Sequence, residues 1–287
     1  MDFEIDRRKL LKATGAGMAT VTIATGAASA VTDLADLPGD GTEANPYELD
    51  SFDDLLAIDQ DLDANYILTD NIEFEGEGPI EPLAFVAGGY GYYGGYGYYG
   101  GSPFFTGTLD GQGYEIRNFE IDGGPTYVPA GLFSLIGPGG IVKNLNIVNI
   151  DVVGMASVGG LAGGFDGGTD GEINNVSVTG TVQGVEFDGT GGLIGRMPSG
   201  TVTDSSSSVT VEAFSDLGGV VGQLTSGEIT RTYAEGDVVP RGEEPPEDAG
   251  GFVGSMDGGN ITLSFATGNV TGSNNTGGFV GALYEGS

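Results

Sequence analysis

Two acidic glycine turns are where this 287-residue chain could do ionic chemistry. Asp166-Gly-Gly-Thr-Asp170 and Asp110-Gly-Gln-Gly113 gather carboxylates at the short spacing that hard cations need. Neither has the nonapeptide repeat spacing of calcium rolls or the twelve-residue helix-loop-helix pattern. Asp166 and Asp170 are therefore the metal candidates, calcium is the cofactor class they would admit, and no other cofactor is expected. Paired carboxylates could also cleave a glycosidic bond, but with 41 acids in the chain such pairs arise by chance. Histidine and cysteine are both absent. That removes the commonest general base, the usual zinc ligands, disulfides and a lipid-modified cysteine anchor. No nucleophile elbow or phosphate loop is found. The expectation is a protein with no catalytic residues, against the alternative of a polysaccharide-active lyase or glycoside hydrolase.

Aromatic chemistry is concentrated in one place. Gly88 to Gly101 reads GGYGYYGGYGYYGG and carries six of the twelve tyrosines: Tyr90, Tyr92, Tyr93, Tyr96, Tyr98 and Tyr99. As a loop inserted into one turn of the fold, it offers large amphipathic area at low entropic cost. These rings are the candidate binding patch, for a cell-surface glycan, a protein or a second copy. Four sequons, at Asn175, Asn260, Asn269 and Asn274, are glycosylation candidates in an exported chain.

The elements that must carry these groups are announced by a repeat. The pentad Gly-Gly-apolar-apolar-Gly begins at Gly159, Gly191, Gly218, Gly250 and Gly277. A further glycine follows at Gly171, Gly200, Gly227 and Gly259. Two residues on comes Ile173, Val202, Ile229 or Ile261, and nine later Val182, Val211, Val238 or Val270. Starts separated by 27 or 32 residues describe one supersecondary unit stacked many times. Each unit offers three short strands of alternating polarity, none longer than about six residues. The spacing predicts an all-β, right-handed parallel β-helix over 126–287, its coils stacked at about 4.8 Å.

The stretch Gly250 to Gly272 resembles the GLUG motif of bacterial and archaeal surface proteins. Phe105-Thr-Gly-Thr-Leu-Asp-Gly-Gln-Gly-Tyr-Glu-Ile-Arg-Asn-Phe119 resembles the segment that introduces such repeats. The resemblance covers about residues 104–287 and implies a β-helical surface or extracellular protein. It implies no catalytic residue, because such repeats occur on adhesins, on large extracellular proteins and on some secreted peptidases.

Before the repeats come an export signal and a cap. Arg7 and Arg8, within Asp6-Arg-Arg-Lys-Leu-Leu-Lys12, fit a twin-arginine signal over 1–30, closed by Ala28-Ser-Ala30. A flexible acidic linker is expected over 31–45, then a cap and first coil over 46–125. In that cap Ser51 to Leu62 reads as a helix, with Ser51 as N-cap and Asp54 in the reciprocal position. The formal charge of -32 repels nucleic acid and anionic lipid, and it suits molar salt, where screening falls to about 3 Å. No second hydrophobic span follows the signal. The chain thus reads as a halophilic archaeal surface module that mediates adhesion, or as the repeat portion of a larger secreted protein. Its last turn stops six residues after a pentad, open or truncated.

Overall fold

Inward side chains decide the architecture. Ile173, Val202, Ile229 and Ile261 sit directly above one another in parallel register, and so do Val182, Val211, Val238 and Val270. Each fully buried Val or Ile contributes roughly 1.5–3 kcal/mol, so these ladders form the core along the stack. The computed structural model describes residues 31–74, 78–84, 104–124, 128–165, 171–185, 189–241, 247–272 and 274–284. Val31–Ser287 forms one compact unit. The fold is an all-β parallel β-solenoid of about 5 turns with one short α-helix. Among the described residues the strands make three sheets, a fifteen-stranded one, a six-stranded one and a five-stranded one, and every pairing between these strands is parallel.

The pentads are the corner between the two smaller sheets. Their first glycines lie in register across all five coils, from Gly159 through Gly191, Gly218 and Gly250 to Gly277. The chain then turns and enters the six-stranded sheet at Ala162, Ile194, Val221, Val253 or Val280. The fourth coil shows why three glycines are needed. A Cβ on Gly250 would strike the carbonyl of Val253 in its own coil, and one on Gly251 the carbonyl of Gly278 in the next. A Cβ on Gly254 would lie 2.6 Å from Leu217 N in the coil before. Backbone therefore meets backbone on three sides of this corner.

Strands limited to about six residues do not hold throughout. Ile141–Gly154 runs for 14 residues and Glu172–Gly184 for 13. They bend without breaking because asparagine occupies the left-handed region, at Asn144 (φ +51°), Asn149 (φ +58°) and Asn175 (φ +54°). Asparagine tolerates that conformation better than most residues, so the pairing continues through the bend.

The segment expected as a free linker is packed. Thr32 Oγ1 donates to Asp54 Oδ1 at 2.6 Å, and the Glu48 amide donates to Pro38 O at 3.0 Å on the edge of the first strand. The helix is shorter than expected. Phe52–Leu56 is α-helical, and Ala57–Gln60 tightens into a 3-10 turn. Ser51 Oγ accepts from the Asp54 amide at 3.3 Å, but the backbone amide that donates to the Asp54 carboxylate is that of Asp50, not that of Ser51. Burial raises the Asp54 carboxyl, and the hydrogen bonds from Thr32, Ser51 and Asp50 outweigh it, leaving it below its ordinary value. Phe52, Leu55 and Leu56 are buried, and the Phe52 ring meets Phe74 edge-on at 4.3 Å.

Candidate functional site

The Gly/Tyr segment leaves and re-enters the fold at one strand position. Leu83 pairs with Phe133, and Phe105 pairs with Ile136. Two residues join Phe133 to Ile136, whereas residues 84–104 join Leu83 to Phe105. The two ends are firmly held. Leu83 and Phe105 are fully buried, the Phe105 ring stacks on Phe133 at 4.5 Å, and the Ala84 amide donates to Asp59 Oδ1 at 2.7 Å. Tyr90, Tyr92, Tyr93, Tyr96, Tyr98 and Tyr99 themselves lie outside the described residues, as do Asp166, Asp170, Arg7 and Arg8.

Asp110, in the other acidic turn, is surrounded by donors. The Gln112 amide and Asn144 Nδ2 both reach its Oδ1 at 3.0 Å, and Lys143 Nζ stands 3.6 Å from Oδ2. That arrangement holds a corner together. Among the described residues no group of three or more Asp, Glu, His or Cys is placed to hold a metal ion.

The four sequons have different surroundings. Asn175 Nδ2 donates to Asn144 Oδ1 at 3.0 Å, and Asn269 Nδ2 to Asp237 Oδ1 at 3.0 Å, so both amides are engaged within ladders. Asn260 lies exposed in the strand Asn260–Thr262, and Asn274 is exposed beside Asn275.

Three ladders along the coils were not anticipated. Asn144, Asn175, Asp204, Arg231 and Leu263 occupy one left-handed bend in successive coils, each two residues after an inward Val or Ile. That fixed offset was the available signal. Arg231 makes a bidentate contact with Asp204 at 2.6 Å, which lowers the Asp204 carboxyl below its usual range. In the five-stranded sheet Asp216, Asp248 and Asn275 share a second left-handed position. There the buried Asp248 accepts from Asn275 Nδ2 at 2.7 Å and from the Tyr284 hydroxyl at 2.5 Å. On the long sheet, the rings of Tyr233 and Phe265 stack at 5.2 Å, only 4° from parallel.

No family model matches the chain. It is 34% identical over 212 residues to Halomucin of Haloquadratum walsbyi, an alignment covering 68% of this chain and 2% of that protein. It is 33% identical over 144 residues to a protein of Evansella cellulosilytica described as a Gly-rich membrane protein, covering 49% of this chain and 15% of that one. The chain thus spans only a small part of either relative. Among solved structures, an immunoglobulin A1 protease from Bacteroides ovatus superposes with a TM-score of 0.59 at 21% identity, over 85% of this chain and 76% of that one. A second structure titled IgA1 Protease gives 0.52 at 18% identity, over 80% and 20% of the two chains. At such identities the likeness is one of fold. No helix among the described residues is long and apolar enough to cross a membrane.

Proposed function

We propose that this chain is an exported, halophilic, non-catalytic solenoid module of the GLUG type, which makes contacts at the cell surface through its Gly/Tyr segment. The observation that carries this reading is the interrupted strand. The fold needs two residues between the positions paired with Phe133 and Ile136, and the chain spends residues 84–104 there, six of them tyrosines. A rigid, buried rim lowers the entropic cost of presenting an aromatic segment to a partner. The similarity to Halomucin and to a Gly-rich membrane protein supports an extracellular or cell-surface setting, and the charge of -32 supports a salt-rich one. The twin-arginine signal at Arg7 and Arg8 is the proposed export route.

The test is binding of the labelled chain to halophilic archaeal envelopes in about 3 M KCl, where surface charge is screened. Changing the six tyrosines to serine should abolish retention while the circular dichroism spectrum stays unchanged. Retention that survives this change would remove the segment from the proposal.

A second reading has its own support, since both solved neighbours are named as IgA1 proteases. In that reading the solenoid is the repeat portion of a larger secreted enzyme or is itself polysaccharide-active. Release of peptides or reducing sugar from envelope material by the purified chain would favour it over adhesion.

A further inference from the structure

One outward column of the long sheet changes character along its length. Asn146, Ser177, Ser206, Tyr233 and Phe265 stand in register in successive coils. At about 4.8 Å per coil, the two serines open a notch that spans about 14 Å from the Asn146 backbone to that of Tyr233. Tyr233 forms one wall. Its ring lies 5.2 Å from Phe265 and 4° from parallel, so Phe265 backs one face and the other is turned toward Ser206. A serine side chain ends one atom beyond its Cβ and leaves most of that face bare. Asn146 forms the far wall, held by the Ser177 hydroxyl at 2.7 Å and by its own donation to Gly113 O at 3.1 Å. Tyr233, Ser206 and Ser177 are all partly exposed, so the notch is open to solvent.

Polar groups with spare capacity border it. Asp204 and Ser208, two residues before and after Ser206, are both exposed. Arg231 fixes the Asp204 carboxylate at 2.6 Å, and the Ser208 hydroxyl donates to Glu235 Oε2 at 3.1 Å. A carboxylate accepts about four hydrogen bonds and a guanidinium carries five N–H donors, so Asp204 and Arg231 can each serve a ligand while paired. An apolar side chain in the notch would strip water from these groups and leave them unpaired. An anion would meet a chain of charge -32. A neutral ring with one C–H face and a rim of hydroxyls satisfies both walls and floor, because the electron-rich face of an aromatic ring attracts C–H groups.

We propose that this notch binds one neutral pyranose unit of a glycan, its C–H face on Tyr233 and its hydroxyls on Ser206, Asp204 and Arg231. The inference does not rest on what the Gly/Tyr segment binds.

Saturation-transfer NMR on the full chain in about 3 M KCl tests it. The probes are the methyl glycosides of glucose, galactose, mannose and N-acetylglucosamine, with p-cresol standing in for a protein side chain. At least one glycoside should receive saturation, strongest at its ring C–H protons. Tyr233→Ala removes the wall, and Ser206→Phe fills the notch by extending the aromatic stack while leaving Tyr233 in place. Each should weaken binding about 10-fold or more, with the circular dichroism spectrum unchanged. Replacing the six tyrosines of the Gly/Tyr segment should leave the signal intact. Saturation of p-cresol alone, no transfer to any probe, transfer that survives either notch variant, or a signal lost with the six tyrosines would each overturn the proposal.

Discussion

Gly251 and Gly278 hold the same pentad position in adjacent coils, yet a Cβ on Gly251 would overlap the Gly278 carbonyl oxygen and a Cβ on Gly278 would meet no atom within 4 Å. Identical sequence positions should therefore respond oppositely to the same substitution. Gly251→Ala should destabilise by about 1–3 kcal/mol, because backbone must shift to admit the methyl. Gly278→Ala should change stability by less than about 0.5 kcal/mol, as at an ordinary surface site. Equilibrium unfolding in denaturant at constant high salt measures both. Equal effects would mean that the pentad acts through chain flexibility and not through close approach.

Asn144 separates conformation from hydrogen bonding at the bend ladder. Its φ is +51°, its Nδ2 donates to Asp110 and its Oδ1 accepts from Asn175. Asn144→Ala and Asn144→Gly lose the same hydrogen bonds, but only alanine suffers the left-handed strain. The alanine variant should be less stable than the glycine variant by about 1 kcal/mol or more. Indistinguishable unfolding midpoints would show that the hydrogen bonds alone explain the residue type.

How much of this was legible in the residues follows from the same contacts. The ladders through Ile173 and Val182 were readable because inward packing demands a fixed residue class at a fixed spacing. The bends at Asn144 and Asn175 were not, because a positive φ leaves no mark on hydrophobic period, and strands that continue through them look interrupted. The stretch Ala130-Gly-Leu-Phe-Ser134 is a further pentad corner, with Ala130 bridged to Val158 and Phe133 paired with Ala162. It escaped notice because Ala130 and Ser134 stand where the pattern requires glycine. The packing of 31–45 rests on single polar contacts such as Thr32 to Asp54, which composition cannot reveal. Of the candidate site, the sequence located the tyrosines, and only the pairing of Leu83 and Phe105 located the rim from which they emerge.

Ser207 is a polar residue in an apolar ladder. It lies fully buried between Val178 and Ala234, and its hydroxyl has no hydrogen-bond partner. Replacing it with alanine removes an unsatisfied group and only one heavy atom. Ser207→Ala should stabilise the chain by about 1 kcal/mol. Ser207→Val should not gain further, because a Cβ built on Gly192 already reaches Ser207 Oγ, leaving no room for a branched side chain. A fall in the unfolding midpoint of Ser207→Ala would mean that the hydroxyl is satisfied in solution.

Tyr284 makes the terminal coil sensitive to alkali. Its hydroxyl donates to Asp248 Oδ2 at 2.5 Å, and that bond, with burial and the negative charge of Asp248, pushes its pKa up to about 12 from an ordinary 10.0. The folded state thus favours the protonated phenol. The contribution is complete below pH 10 and is lost as pH rises from there through about 12, since the unfolded chain ionises first. Tyr284→Phe removes the bond at every pH and leaves Asp248 with Asn275 as its donor. At neutral pH it should cost about 1 kcal/mol, the typical net value of a hydrogen bond. Between pH 10 and 12 the difference between the two proteins should shrink toward zero. Unfolding curves of both proteins across that window measure it, and a gap that stays constant would show that Tyr284 acts through ring packing and not through its proton.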